Sequence, residues 1–450
     1  MTTVPALSRP DPEPSFAGVL EADATALGDY TARTEEMLAA LPAKPSREPD
    51  QQRLADELHT SARKARAKFL RAHAAAVYDR ITASTTDTPR LRELTERAAL
   101  DFPGLTPTPE QLAEETRCLQ ADKEGREIDQ GILLRELLRL PGPGTQIIEA
   151  MQRPTSRAWD LLPDFTRAGQ LELGVVRIER HGDAAHVTMH NDDCLNAEDN
   201  RLAADLETAV DVVLLDERTS VGVLRGAPMA HPRYEGRRVF SAGINLKHLH
   251  QGKISYTDFL MGRELGLINK LLRGVLVDPG SLVTERTVEK PWVGVVDAFA
   301  IGGGMQLLLA LDRVLAETDA YFSLPAAQEG IVPGAANFRL SRLLGARIAK
   351  QVILWGRVIR ASDPDADLLC DEVVAPTELG TAIDRNIEHL ASPAVVPNRR
   401  MLNLSDEPLP AFRSYIAEFA LAQALRLYSQ DVTVKVNAFS ASRSARRETG

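Results

Sequence analysis

Phe240-Ser241-Ala242-Gly243-Ile244-Asn245-Leu246 and Ala300-Ile301-Gly302-Gly303-Gly304-Met305-Gln306 are the two stretches on which the reading of this chain turns. The second follows the apolar run Trp292–Val296, which reads as a buried strand, and opens into a helical stretch at 305–311. Glycine at a strand end lets the backbone turn sharply and come close to a ligand. The helix that follows brings unpaired N–H groups and a positive dipole end to the same spot. Such an array suits a negative oxygen forming in a reaction, where one donor is worth about 3–4 kcal/mol when deleted. Taken alone, a triple-glycine turn also fits a phosphate-binding nest or a tight strand-to-helix corner. It is neither GxGxxG nor GxxxxGK[ST].

Outward from these turns the pattern is that of an α/β domain. Residues 171–178 and 186–190 carry β-branched residues around Gly182-Asp183, which suits a hairpin. A helix is expected at 202–215, a short buried strand at 221–224 and a helix at 256–272. A last helix at 410–428 places Phe412, Tyr415, Ile416 and Phe419 on one face. Upstream, Leu54, Leu58, Ala62, Ala65, Phe69, His73, Val77 and Ile81 recur at helical spacing. Thr108-Pro109-Glu110-Gln111 reads as a capping box, and a helix at 132–140 stops at Pro141-Gly142-Pro143-Gly144. The expected division is a disordered start at 1–15, a helical domain at 16–165, the α/β core at 166–376 and a C-terminal helical region at 377–450. The helical domain carries no catalytic motif and reads as an oligomerisation or lid element.

The bulk numbers exclude some partners. The chain has 450 residues, 44% of them hydrophobic and 26% charged, with a net charge of −10. That argues against nucleic acid or an anionic membrane as the main partner. Cys118, Cys194 and Cys370 are scattered with no metal-ligand spacing, so reduced thiols in a cytoplasmic protein are expected. The first residues, rich in Pro and acid, do not read as a secretory signal. His248 and His250 form an HxH pair on an expected helix, but residues two apart do not share a helical face. No metal site is expected.

FSAGINL followed by AIGGGMQL resembles the crotonase (enoyl-CoA hydratase) superfamily. The resemblance continues in Ala320-Tyr321-Phe322-Ser323-Leu324-Pro325 and Gly330-Ile331-Val332-Pro333-Gly334 and covers roughly 171–374. It implies a ββα spiral core, usually trimeric or hexameric, that stabilises the enolate of an acyl-CoA thioester. One oxyanion N–H would come from Ile244 and the other from Gly303. Family hydratases carry one carboxylate two residues after the triple glycine and another directly after the proline of the FSLP-like strand. Here those positions hold Gln306 and Ala326, and neither can serve as an acid or base. Glu329 is the fallback base, or a structural ion-pair partner.

The long helical N-terminal region and the Gly243-Ile244-Asn245-Leu246 turn resemble an oxygen-using branch of the superfamily. What that implies is cofactor-free oxidation of 3,5-dihydroxyphenylacetyl-CoA by O2 to 3,5-dihydroxyphenylglyoxylate and CoA. The alternatives are a thioesterase or isomerase of the same fold, or a non-catalytic acyl-CoA-binding protein. Under the same resemblance Glu198 and Arg263 would receive the ring hydroxyls, with Gln306 adding a neutral hydrogen bond. A structural salt bridge is the other reading of Arg263. Ala242, Asn245 and Leu246 would line the acyl-CoA. Arg238, in a run with Arg233 and Arg237, would meet CoA, or belong to a solvated charge run. Ile331 and Val432 would line a small O2 pocket, or simply pack in the core.

Overall fold

The computed structural model describes residues 12–85, 87–278, 280–281 and 286–437. Most of the stretch expected to be disordered lies outside the described residues, and 12–19 carry neither helix nor strand. The chain forms two compact units. One comprises 1–147, 250–253 and 416–437, and the other 148–249, 254–415 and 438–450.

The first unit is helical, with α1 (Leu20–Ala39), α2 (Pro49–Thr82), α3 (Leu91–Asp101), α4 (Pro109–Glu115), α5 (Glu127–Arg139) and α6 (Pro141–Gln152) as far as Ile147. The stripe read along α2 is its buried face, from Leu58 through Phe69 and Val77 to Ile81, with Leu54 half-buried. The capping box of α4 forms: Gln111 N–H donates to Thr108 Oγ1 at 3.3 Å, and Thr108 N–H donates to Gln111 Oε1 at 3.0 Å. Pro141-Gly142-Pro143-Gly144 ends α5, as read, but it also begins α6. A proline's missing N–H costs nothing in a helix's first turn.

The second unit continues through α7 (Ser156–Ala168), β1 (Gln170–Glu172), β2 (Val176–His181), β3 (Ala184–Met189), α8 (Asn200–Leu215), β4 (Val221–Gly226) and α9 (Leu246–His250). Two π-helical turns, Tyr256–Met261 and Arg263–Ile268, run into α10 (Asn269–Arg273). Then come β5 (Val275–Leu276), β6 (Thr287–Val288), β7 (Trp292–Val296), β8 (Phe299–Ile301), α11 (Gly303–Leu308), β9 (Arg313–Glu317) and β10 (Tyr321–Ser323). The chain finishes with α12 (Ala326–Glu329), α13 (Ala336–Leu343), α14 (Gly345–Trp355), β11 (Ile359–Arg360), β12 (Glu372–Val374), α15 (Leu379–Leu390), α16 (Val395–Asp406) and α17 (Leu409–Leu427). The run 171–178, read as one strand, is two: Gly174, at φ 89°, breaks it, and β1 folds back antiparallel on β2.

The main sheet has the order β1-β2-β3-β4-β7-β9-β12, antiparallel up to β3 and parallel from β3 onward. A smaller sheet has the order β11-β10-β8, and Ser241 extends it by pairing with Ala300. The two sheets are built together by a repeated path. β7 of the main sheet leads to β8 of the small sheet and then to α11; β9 leads to β10 and α12. The loop after β4 reaches Ser241 before α9, and the loop after β3 reaches Glu198, which pairs with Ile244, before α8. This is the ββα spiral expected from the resemblance. Each turn ends in a helix start, which is why glycine-rich backbone gathers at one place.

Alternation along the strands explains why the main sheet is covered on both faces. Val221, Val223, Val293, Val295 and Leu315 pack with Leu379, Ala382 and Ile383 of α15. Trp292, Val296, Ala185, Val187 and Met189 face the other way, into the large core with Leu202, Leu206 and Val210 of α8 and with Met305 and Leu307 of α11. Each fully buried valine or leucine contributes about 1.5–3 kcal/mol.

The helix expected at 256–272 exists, but not as an amphipathic one. Nearly every residue from Tyr256 to Leu271 is buried, Arg263 and Lys270 included, and Tyr256–Ile268 is π-helical apart from Gly262. Four-residue spacing, which in an α-helix would put Phe259, Arg263 and Leu267 on one face, therefore does not define a face here. A helix buried all round has no polar side for its charges, which must find partners inside.

Candidate active site

The two glycine turns meet back to back. Gly243 (φ 88°) and Gly302 (φ 54°) both have the left-handed backbone that a side chain disfavours. They also touch: a methyl on Gly302 would lie 3.2 Å from Gly243 Cα, and one on Gly243 would lie 3.3 Å from Ile301 O. Ile301 N–H donates to Ser241 O at 2.9 Å, and Gly302 N–H to Ser323 O at 2.7 Å, fixing the second turn between the first and β10. On the other side, Glu198 N–H donates to Gly243 O at 2.6 Å and Asn245 N–H donates to Glu198 O at 2.8 Å. Those bonds flank Ile244. Among the described residues, no acceptor takes the N–H of Ile244 or of Gly303. Gly303 begins α11, where an unpaired N–H is the rule; Ile244 belongs to no helix.

Beside these donors lies a buried polar network. Arg263 and Glu198, 4% and 3% exposed, form a two-pronged ion pair: Nε donates to Glu198 Oε2, and Nη2 to Oε1 at 3.1 Å. Arg263 Nη1 donates to Gln306 Oε1 at 2.9 Å and to Glu264 Oε1 at 3.0 Å, and Nη2 donates to Gly303 O at 2.7 Å. One guanidinium thus ties Glu198, its expected ring-binding partner, to Gln306 and to the backbone of Gly303. Burial pushes the Glu198 carboxyl up against the pull of Arg263. Burial disfavours the charged guanidinium, but Glu198 and Glu264 outweigh it and raise Arg263 above its ordinary value. The glycine at 303 is required by closeness: a methyl there would lie 2.4 Å from Glu198 Oε1.

Glu264 was not foreseen. It is 2% exposed, accepts from Arg263 and from Ala335 N–H (2.9 Å), and occupies the space a side chain on Gly334 would need. Tyr415 Oη donates to Gly334 O at 2.6 Å, so the loop after α12 is held from two sides. A carboxylate next to arginine inside Phe259-Leu260-Met261-Gly262-Arg263-Glu264-Leu265-Gly266 was the available signal. Backbone strain is a further one: Leu195 and Asn196, just before Glu198, are both left-handed without being glycine.

The remaining expected residues are placed as follows. Ala326 is buried at the start of α12, with no acid in its place, and Glu329 is half-buried. Ala242 N–H donates to Leu195 O at 3.0 Å, and Leu246 opens α9. The Asn245 side chain is occupied within the protein: Nδ2 donates to Asp199 Oδ2 at 3.2 Å, and Oδ1 accepts from His248 N–H at 3.1 Å. Arg238 is half-buried and donates to Gly226 O at 3.1 Å, while its neighbour Arg225 takes Asp297. Burial and Arg225 pull Arg238 below its ordinary value. Ile331 is half-buried in the second unit and Val432 is buried in the first, so no single unit holds both. His248 and His250 have different partners, Asp199 and Asn437. Among the described residues, no group of three or more His, Cys, Asp or Glu is arranged to hold a metal ion. No helix among them is long and apolar enough to cross a membrane.

The enoyl-CoA hydratase/isomerase family matches residues 179–402. The chain is 52% identical over 419 residues to (3,5-dihydroxyphenyl)acetyl-CoA 1,2-dioxygenase of Amycolatopsis orientalis, covering 93% of this chain and 96% of that one. It is 29% identical over 211 residues to a short-chain-enoyl-CoA hydratase of Clostridium acetobutylicum, covering 46% of this chain and 72% of the relative. Among solved structures, an enoyl-CoA hydratase from Mycobacterium avium subsp. paratuberculosis superposes with a TM-score of 0.47 at 22% identity, over 60% of this chain and 97% of that one. The chain belongs to the enoyl-CoA hydratase/isomerase, or crotonase, family.

Proposed function

We infer that this protein is a dioxygenase that converts (3,5-dihydroxyphenyl)acetyl-CoA and O2 to 3,5-dihydroxyphenylglyoxylate and CoA. The observation that carries this is the pair of unoccupied N–H donors at Ile244 and Gly303, next to a buried Glu198–Arg263–Gln306 network and without the two hydratase carboxylates. Identity to the Amycolatopsis enzyme over nearly the whole chain supports the same reading.

The thioester oxygen sits between the two N–H groups, which stabilise the charge that develops when the Cα proton leaves. The hydroxylated ring reaches Glu198 and Arg263, so the carbanion is spread over thioester and ring. With Gln306 and Ala326 in place of acids, nothing at those positions returns a proton or activates water. The enolate instead gives one electron to O2, and recombination forms a Cα–O bond. The resulting peroxide attacks the thioester carbonyl and expels CoA. Cleavage of the O–O bond with loss of the second Cα proton leaves the α-keto acid, and both oxygen atoms of O2 end in the product. The scheme draws on substrate and O2 alone. Arg238, which forms no ion pair with a carboxylate among the described residues, is suited to a CoA phosphate. A homo-trimer or homo-hexamer accompanies this reading, and the exposed Leu354 and Trp355 are apolar surface of the kind an interface covers.

Chelator-treated protein incubated with (3,5-dihydroxyphenyl)acetyl-CoA under 18O2 is expected to consume oxygen and release doubly labelled keto acid. Release of unoxidised arylacetate, or oxygen uptake that returns only with added metal, rejects the proposal.

A further inference from the structure

The Glu198–Ile244 bridge has a second side. Residue 199 is extended (φ −143°, ψ −176°), so Glu198 and Asp199 point to opposite sides of the strand. Glu198 turns to Arg263 and Gly303. Asp199, 5% exposed, turns away from them into a separate cluster. Its Oδ1 accepts the N–H groups of Arg201 and Leu202, both at 3.1 Å, and caps α8. Its Oδ2 accepts from Asn245 Nδ2 at 3.2 Å and lies 2.9 Å from His248 Nδ1. Asn245 Oδ1 in turn takes His248 N–H at 3.1 Å and starts α9. One carboxylate therefore joins the start of α8, the residue directly after Ile244 and the helix that follows it.

We propose that Asp199, Asn245 and His248 form a clamp that aims the Ile244 N–H at the thioester oxygen. They are positioning residues and touch no substrate. This rests on the enolate-forming reading given above. Among the described residues Ile244 has no hydrogen bond of its own, and its direction is set by the bonds of its neighbours, Gly243 O with Glu198 N–H and Asn245 N–H with Glu198 O. Those bonds keep their register only if residue 245 cannot slide along residue 198, and the Asp199–Asn245 side-chain bond prevents that slide. Sub-ångström aim matters because an oxyanion donor works by being in place before charge develops, and small misplacements cost up to about 100-fold in rate.

Asp199→Asn is a selective disruption. Asparagine caps a helix as well as aspartate does, so α8 keeps its cap. Its amide nitrogen, however, then faces the amide nitrogen of Asn245, donor against donor. Asn245→Asp sets two carboxylates against each other. The double variant D199N/N245D restores one donor–acceptor pair with its direction reversed. Asn245→Ser removes the link to Asp199 without touching the α8 cap and serves if D199N does not fold.

The readout is exchange of the Cα protons of (3,5-dihydroxyphenyl)acetyl-CoA in D2O under argon, which reports enolate formation without O2, together with kcat and KM in air. Each single variant is expected to lose about 10- to 100-fold in exchange and in kcat, with KM within about threefold. The double variant is expected to regain most of that loss, the signature of coupled neighbours. The clamp is overturned if wild-type protein exchanges and the folded single variants exchange at the same rate, or if the double variant is no better than the worse single one. If the wild type itself exchanges no Cα proton, the enolate reading falls and the clamp falls with it.

Discussion

At the scale of single residues, Arg263 concentrates the most consequence. It stands between two buried carboxylates, a neutral amide and the carbonyl of Gly303. Arg263→Ala leaves Glu198 and Glu264 buried without their cation, and losing one partner of a buried pair costs about 3–5 kcal/mol. A urea midpoint shift of that size is expected, together with lost preference for (3,5-dihydroxyphenyl)acetyl-CoA over phenylacetyl-CoA. An equal effect on both substrates argues that Arg263 does not contact the ring hydroxyls. Ile244 and Gly303 were named in the sequence through the family resemblance, and their N–H groups stand without an acceptor among the described residues. Glu198 and Arg263 were legible only through resemblance, since 65 positions separate them. Glu264 was missed because a regular helix of 3.6 residues per turn over 256–272 gives it no reason to point inward. The π-helical turns change that phase.

Among the elements, the long buried helix is the one whose charges must be satisfied internally. Lys270 of α10 is 0% exposed; its Nζ donates to Glu207 Oε1 at 2.7 Å and lies 2.7 Å from Asp211 Oδ1, both on α8. Asp211 also accepts Thr155 N–H at 2.7 Å, so the lysine holds α10 and the approach to α7 on one face of α8. Lys270→Ala is expected to cost about 3–5 kcal/mol in urea unfolding, because the fully buried Asp211 carboxylate loses its lysine partner. A loss below about 1 kcal/mol, the range of exposed pairs, means the triad does not anchor the helix. π-Helical turns are uncommon and cluster at functional sites. Here they present Arg263 and Glu264, adjacent in sequence, to the same buried network.

For the molecule as a whole, pH should act most visibly through the helical unit. Glu115, at the end of α4, is pushed up from 4.5 to about 7, chiefly by burial and then by Glu127, although Gly125 N–H donates to it at 2.9 Å. The sign follows from proton binding. Between about pH 4.5 and 7 the folded state holds this proton more tightly than the unfolded state, so stability falls as pH rises through that window and levels off above it. The span corresponds to about 3 kcal/mol at about 1.4 kcal/mol per unit. Glu115→Gln is expected to flatten the slope and to raise the thermal midpoint at pH 8. An unchanged slope in the variant means that another group sets the pH dependence.

The sequence by itself determined the elements whose signals are local: the α2 stripe, the α4 capping box, the all-buried β7 strand and the two glycine turns. In each case neighbouring residues carry the reason. Alternating strand and helix signals gave the α/β class, and the two glycine motifs indicated the spiral fold through their resemblance to the crotonase family. What only the tertiary structure decided is which side chains share the buried volume around those turns. Glu198, Arg263, Glu264 and Gln306 come from three distant segments, and Asp199 and Asn245 are joined only because the spiral lays residue 198 beside residue 244. Such pairings are fixed by strand register across the molecule, and no local periodicity encodes it. The two glycine turns were readable; the contacts of Asp199 with Asn245 and His248 beside them were not.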